Sequence, residues 1–232
     1  MAVRRRNHLP PREVPPGRRP IVLVGASSMA WEVLDAVRAA GTHEAVGFVD
    51  DDADRHGTCF DGVPVLGALD SVRAHADAEL VLCAARGGAR ASLASRLATL
   101  GVAEDRYAVV RHPTVQVPRG CGLGGGTVLL AHVALASDVR VGRHVMVMPS
   151  ATLHHGDELE DFVTLAAGVS LGADVRVGRR AYLGMNASVR ERSRVGADAV
   201  LGMGAAAVGD VPPGETWAGV PAEMLRSWVE PW

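Results

Sequence analysis

Histidine carries the side-chain pKa closest to neutral, which makes it the natural general base at physiological pH. The chain has nine histidines. His8 lies in a basic N-terminal stretch, and His43, His56 and His75 fall in polar segments. His112, His132 and His144 occur singly further on, whereas His154 and His155 are adjacent and precede Asp157, Glu158, Glu160 and Asp161. Proton transfer is therefore chemistry the chain can supply. Nucleophilic thiol chemistry is poorly supported. Cys59, Cys83 and Cys121 are an odd number with no CxxC spacing, which excludes a disulfide framework and a thiolate zinc site and fits a reducing cytosol.

The elements that must position these residues change character near residue 111. Before it, strands alternate with helices. Ile21 to Val24 is a short β-branched run ending in Gly25-Ala26-Ser27-Ser28, and a helical pattern follows with Val33, Leu34 and Val37 on one face. Ala45 to Val49 reads as a second strand closing on Asp50-Asp51-Asp52, Leu80 to Ala84 as a third, and Arg90 to Leu100 as a helix. Strand, small-residue turn, helix, strand with an acidic end is the order of a nucleotide-binding βαβ unit.

After residue 111 the period becomes six. Stepping from Val117 gives Leu123, Leu129, Leu135, Val141, Val147, Leu153, Leu159, Leu165, Leu171, Val177, Leu183, Val189, Val195 and Leu201, all Leu or Val. Four residues after each, the side chain is mostly small, as at Val133, Ala151, Ala181 and Ala199. This is a hexapeptide-repeat β-helix. Each unit makes a short strand and a turn, and three units close a triangular coil. The aliphatic residue points inward and stacks on its equivalents in neighbouring coils, while the small residue is expected to turn the corner.

Composition agrees with a packed core of small side chains: hydrophobic residues are 48%, aromatics only 4%, and there are 27 glycines. Lys plus Arg is 24 against 26 Asp plus Glu, a net charge of -2, which argues against nucleic acid as a partner. No apolar run reaches the roughly 18 residues a membrane helix needs. The segment before Ile21 is basic and Pro-rich without an apolar core, so a disordered tail over 1–19 is expected rather than a secretory signal. The location expected is cytoplasmic. The remaining divisions are a Rossmann-like domain over 20–110, a β-helix over 111–215 and a C-terminal segment over 216–232.

From residue 20 onward the chain resembles the sialic acid and bacillosamine-type O-/N-acetyltransferases, the sugar acyltransferase branch of left-handed β-helix enzymes. Val24-Gly25-Ala26-Ser27-Ser28-Met29-Ala30-Trp31-Glu32-Val33 is similar to the family's G-A-G/S-G-H-A-x-E-V turn, Gly47-Phe48-Val49-Asp50-Asp51 to its G-F-I-D-D, and Gly62-Val63-Pro64-Val65-Leu66-Gly67 to its G-x-P-V-L-G. His112-Pro113 and Gly219-Val220-Pro221-Ala222 open and close the repeat as in the family. The resemblance implies an α/β Rossmann-like domain that holds a sugar or nucleotide-sugar acceptor through Ser27, Ser28, Met29, Asp50 and Asp51. It also implies a left-handed β-helix, a homotrimer, and acetyl-CoA as co-substrate without a metal.

The family's base segment V-x-H-D/E-C-x-I-G-D aligns with Leu153-His154-His155-Gly156-Asp157-Glu158-Leu159-Glu160-Asp161, which implies that His155 is the base. It would take a proton from an amine or hydroxyl as that group attacks the thioester, and the oxyanion would rest on the N–H at Ala173. Pantetheine would pass Met185 and Met203. Gly156 stands where the family has an acid, so Asp157 is expected to turn outward in its place. Thr164 replaces a second histidine associated with acetyl-CoA and keeps a hydroxyl for it. Arginines between Arg140 and Arg194 read mainly as a solvated face, with one or two available to the CoA phosphates. Two other function classes compete. A γ-class carbonic anhydrase would need converging histidines, and the 12- and 11-residue spacings of His132, His144 and His155 do not match the coil. A non-catalytic nucleotide-binding trimeric scaffold is kept open by Met29, Gly156 and Thr164, and an acetyltransferase for a different small-molecule amine remains a further alternative.

Overall fold

A computed structural model describes residues 14–225. The tail expected over 1–19 therefore lies outside the described residues up to 13, as does the C-terminal segment beyond 225.

Strand β1 (Arg19–Val24) is apolar on both faces, and Ile21 through Val24 have no exposed surface. A strand of this kind belongs in the middle of a sheet covered on both sides. It does so here, between β2 (His43–Val49) and β5 (Glu79–Leu82), with β4 (Val63–Gly67) and β3 (Cys59–Phe60) completing the order β3-β4-β2-β1-β5. Ile21 and Leu23 pack on Met29, Val33 and Leu34 of α1 (Ser28–Ala40), and also on Val128, Leu130 and Met146 of the repeat. Val22 and Val24 face the other way, onto Val72, Leu80 and Leu97. Helix α1 stops at Gly41, whose left-handed φ of 67° lets its N–H close on the Val37 carbonyl.

The repeat begins at β6 (Val110–Arg111), which pairs in parallel with Val128–Leu129. Two-residue strands then stack in three parallel sheets, each strand pairing with the one eighteen residues on, as in Leu129, Val147, Leu165, Leu183 and Leu201. The aliphatic residues form one continuous inward core.

The corners differ from the sequence expectation. The residues that turn the chain lie three after each aliphatic residue, not four. They include His132, Asp138, Ser150, Phe162, Asp174 and Asn186, with φ between 57° and 64°. Gly126, Gly156, Gly168 and Gly204 take the same place at φ of 66–76°. A left-handed residue every sixth position makes each bend, and the small residue that follows points into the core: Val133, Val139, Ala151, Val163 and Ala181 are buried. Small size at that position is a packing demand of a narrow prism.

Helix α2 (Gly87–Thr99) joins the two halves. A Cβ at Gly87 would stand 2.1 Å from the Phe162 carbonyl oxygen, so the helix start sits directly on a coil. Arg90 has no exposed surface, and its guanidinium donates to the carbonyls of Ala84, Ala85, His144, Phe162 and Val163 and to Thr164 Oγ1. Burial lowers its pKa to about 9, so it stays charged at neutral pH. His144 lies beneath α2, stacked on Phe162 at 5.0 Å with Tyr107 edge-on at 4.4 Å. Its pKa, lowered to about 4 chiefly by burial, keeps it neutral.

Candidate active site

His155 stands at the corner between strands Thr152–Leu153 and Glu158–Leu159, with 61% of its side chain exposed. One coil earlier at the same corner is Ser137, whose Oγ lies 3.0 Å from His155 Nδ1. Asp138 follows, with Oδ2 3.6 Å from the same nitrogen. One coil later is Ala173, half-buried, and the Asp174 N–H donates to the His155 carbonyl at 2.9 Å. His155, its oxygen partners and Ala173 thus share one edge of the prism.

Asp157 does not turn outward. Its side chain is enclosed and accepts from the N–H groups of His154 at 2.7 Å and Val175 at 2.9 Å. Burial outweighs those two bonds and raises its pKa to about 6. The reason is positional: residue 157 occupies the inward place four after Leu153. Thr164 is enclosed as well. Its hydroxyl donates to the Ala85 carbonyl at 2.8 Å and accepts from Arg90 at 3.0 Å, which makes it part of the joint between the halves and leaves no hydroxyl for a cofactor.

Met185 and Met203 are exposed, 50% and 67%, but on a different edge, after strands Tyr182–Leu183 and Val200–Leu201. Within one chain the structure does not bring them to His155. On the sheet running from the His155 corner, Arg140, Glu158, Arg176 and Arg194 stand in register, and Glu158 lies 3.2 Å from Arg140 and 3.8 Å from Arg176.

In the α/β half, Ser27 and Ser28 are exposed where α1 begins, and Ser27 Oγ donates to the Cys83 carbonyl at 2.7 Å. The Met29 side chain is buried against β1, because the third residue of this turn already lies on the helix's inner face. Asp50 accepts from the N–H groups of Ala26 at 2.7 Å and Asp52 at 2.9 Å, bracing the turn. Asp51 is directed to Arg96 at 2.6 Å and the Leu69 N–H at 3.1 Å, and the hydrogen bond from Arg96 holds its pKa below the usual range. Arg55, which sequence reasoning did not single out, donates to the Ala26 carbonyl and lies 3.9 Å from Asp50. It brings a cation to the small-residue turn, and nothing in its local sequence distinguishes it from a solvated arginine. Among the described residues no group of three or more His, Cys, Asp or Glu is placed to hold a metal ion.

A Rossmann-like domain joined to a left-handed parallel β-helix is an architecture this chain shares with solved acetyltransferases. Residues 20–91 match the PglD N-terminal domain family. The acetyltransferase domain of PglB from Neisseria gonorrhoeae, solved with acetyl coenzyme A, is 27% identical with a TM-score of 0.82, covering 90% of this chain and 100% of that one. PerB from Caulobacter crescentus, solved with CoA and GDP-perosamine, is 28% identical with a TM-score of 0.82, covering 92% and 100%. The UDP-3-O-acylglucosamine N-acyltransferase of Methylobacterium nodulans is 28% identical over 106 residues, 46% of this chain. The chain spans about a quarter of the length of the curated relatives it matches, 25% for that one.

Proposed function

We propose that the protein is an acetyl-CoA-dependent acetyltransferase whose acceptor is an amine or hydroxyl of a sugar or nucleotide-linked sugar, working as a cytoplasmic homotrimer. The observation that carries the reading is that likeness to acetyl-CoA- and CoA-bound sugar N-acetyltransferases spans both halves of the chain. His155 takes the proton from the acceptor N–H or O–H as the acceptor attacks the thioester carbonyl carbon. The new C–N or C–O bond leaves an oxyanion on the former carbonyl, stabilised by the Ala173 N–H. Collapse breaks the C–S bond, and the departing CoA sulfur takes the proton back from His155. No covalent enzyme intermediate is needed.

The trimer answers the geometry of the edges. Met185 and Met203 sit on one edge and His155 on another, so a pantetheine arm lying along the methionines of one copy reaches the base of its neighbour. The exposed Ser27–Ser28 turn at the start of α1, with Arg55 beside it, receives the acceptor's phosphate. The test is to incubate the protein with acetyl-CoA and a panel of nucleotide-linked amino sugars and free amines, following CoA thiol release and product mass. Acceptor-dependent thiol release with a mass gain of one acetyl group is expected. Absence of thiol release with every acceptor in the panel, in a protein that binds nucleotide, would favour the scaffold reading.

A further inference from the structure

We infer that Asp138 and Ser137, from the coil before His155, are the positioning residues of the base and keep its proton on Nδ1. The inference rests on the proposed role of His155 and adds the groups that prepare it. Neither acid position after His155 can serve. Residue 156 is a glycine at φ 76°, and a Cβ there would stand 2.3 Å from Asp174 Oδ1. Asp157 is turned into the core. The coil geometry supplies a substitute eighteen residues upstream, since Ser137 occupies the equivalent place at the same corner.

The two contacts together choose a tautomer. A hydroxyl 3.0 Å from Nδ1 either donates or accepts, so Ser137 alone is neutral on the question. A carboxylate only accepts, and Asp138 Oδ2 stands 3.6 Å from the same nitrogen. With the proton on Nδ1, that N–H has the Ser137 oxygen at 3.0 Å as its hydrogen-bond partner and the Asp138 carboxylate nearby at 3.6 Å. With the proton on Nε2, a ring lone pair would face a carboxylate. The Nδ1–H form is favoured, which leaves the lone pair on Nε2 for the acceptor's proton. Of the other ionisable groups near this corner, Asp157 is enclosed on backbone N–H groups, and the Asp174 N–H donates to the His155 carbonyl. His155 and Asp138 are both well exposed, at 61% and 62%, so the bias is modest in the free protein. It grows when an acceptor and CoA displace water from the corner.

The test uses the full chain labelled with ¹⁵N histidine, comparing wild type, Asp138→Asn and Ser137→Ala/Asp138→Asn. Asparagine tolerates the left-handed φ of 59° at 138, so the fold is unaffected. In the wild type, neutral His155 is expected mainly as the Nδ1–H tautomer. In the double variant it should move toward the Nε2–H form that free imidazole prefers. In steady state, kcat should fall about ten-fold with both KM values within about two-fold, the pattern of a lost orienting group and not of lost binding. An unchanged tautomer in the double variant would overturn the proposal, as would an unchanged kcat. Because the tautomer is read without turnover, failure of the base reading itself appears separately, as full activity in His155→Ala.

Discussion

At the inward position that other coils fill mostly with Val or Ala, Asp157 is enclosed, and its pKa rises from 3.8 to about 6. The folded state therefore holds this proton more tightly than the unfolded chain. The stability the group contributes is complete below about pH 4 and is lost as pH rises through about 6. Asparagine keeps one of the two acceptors and does not titrate. Asp157→Asn is expected to melt below wild type at pH 4 and to close that gap steadily toward pH 7, read by circular dichroism at a series of pH values. A difference independent of pH would show that the carboxyl is not protonated in the fold. The histidine proposed as base, His155, was singled out in the sequence because it lies in a segment that aligns without a gap, and the structure leaves it exposed. Its oxygen partners were not. Ser137 and Asp138 are unremarkable in sequence and meet His155 only because coils stack at an eighteen-residue repeat. Met29 and Thr164 show the converse: both were read as ligand contacts, and both are departures from the family pattern that the structure uses for packing and for joining the halves.

The strands of the repeat could be read from the six-residue period, but its corners could not. The signal visible in sequence was the small residue, whose size is dictated by the prism interior, whereas the bend itself is made by residues as unlike as His132, Phe162 and Arg180. Side-chain identity carries little information where backbone pairing on both sides imposes the conformation. Helix α2 was foreseen as a helix, yet its role as the brace between halves depends on contacts far apart in sequence, from Arg90 to Thr164. Two adjacent glycines test that brace. Gly87 meets the Phe162 carbonyl oxygen, while Gly88 has nothing within 4 Å. Gly87→Ala is expected to lower stability by about 1–3 kcal/mol in urea unfolding, and Gly88→Ala to leave it unchanged or raise it slightly. Equal effects of the two substitutions would mean that α2 does not press on the coil as described.

Across the whole molecule, each half presents an incomplete site. The α/β half offers an exposed turn at Ser27 and Ser28, one edge of the β-helix offers His155, and another offers Met185 and Met203. In the proposed trimer, three copies about an axis set one edge against the next, which would give the assembly a function beyond stability. The arrangement also separates binding from chemistry, since the groups proposed to hold acetyl-CoA lie apart from the base within each chain. His155→Ala examines that separation most directly. Turnover should fall by about 10²–10⁴, the usual loss for a general base, while acetyl-CoA affinity measured by calorimetry stays within about two-fold of wild type. His154→Ala, whose side chain leaves the same corner without the contacts to Ser137 and Asp138, should retain most activity. Near-normal turnover in His155→Ala would contradict the account, because the proton would then be leaving the acceptor by a route in which this corner takes no part.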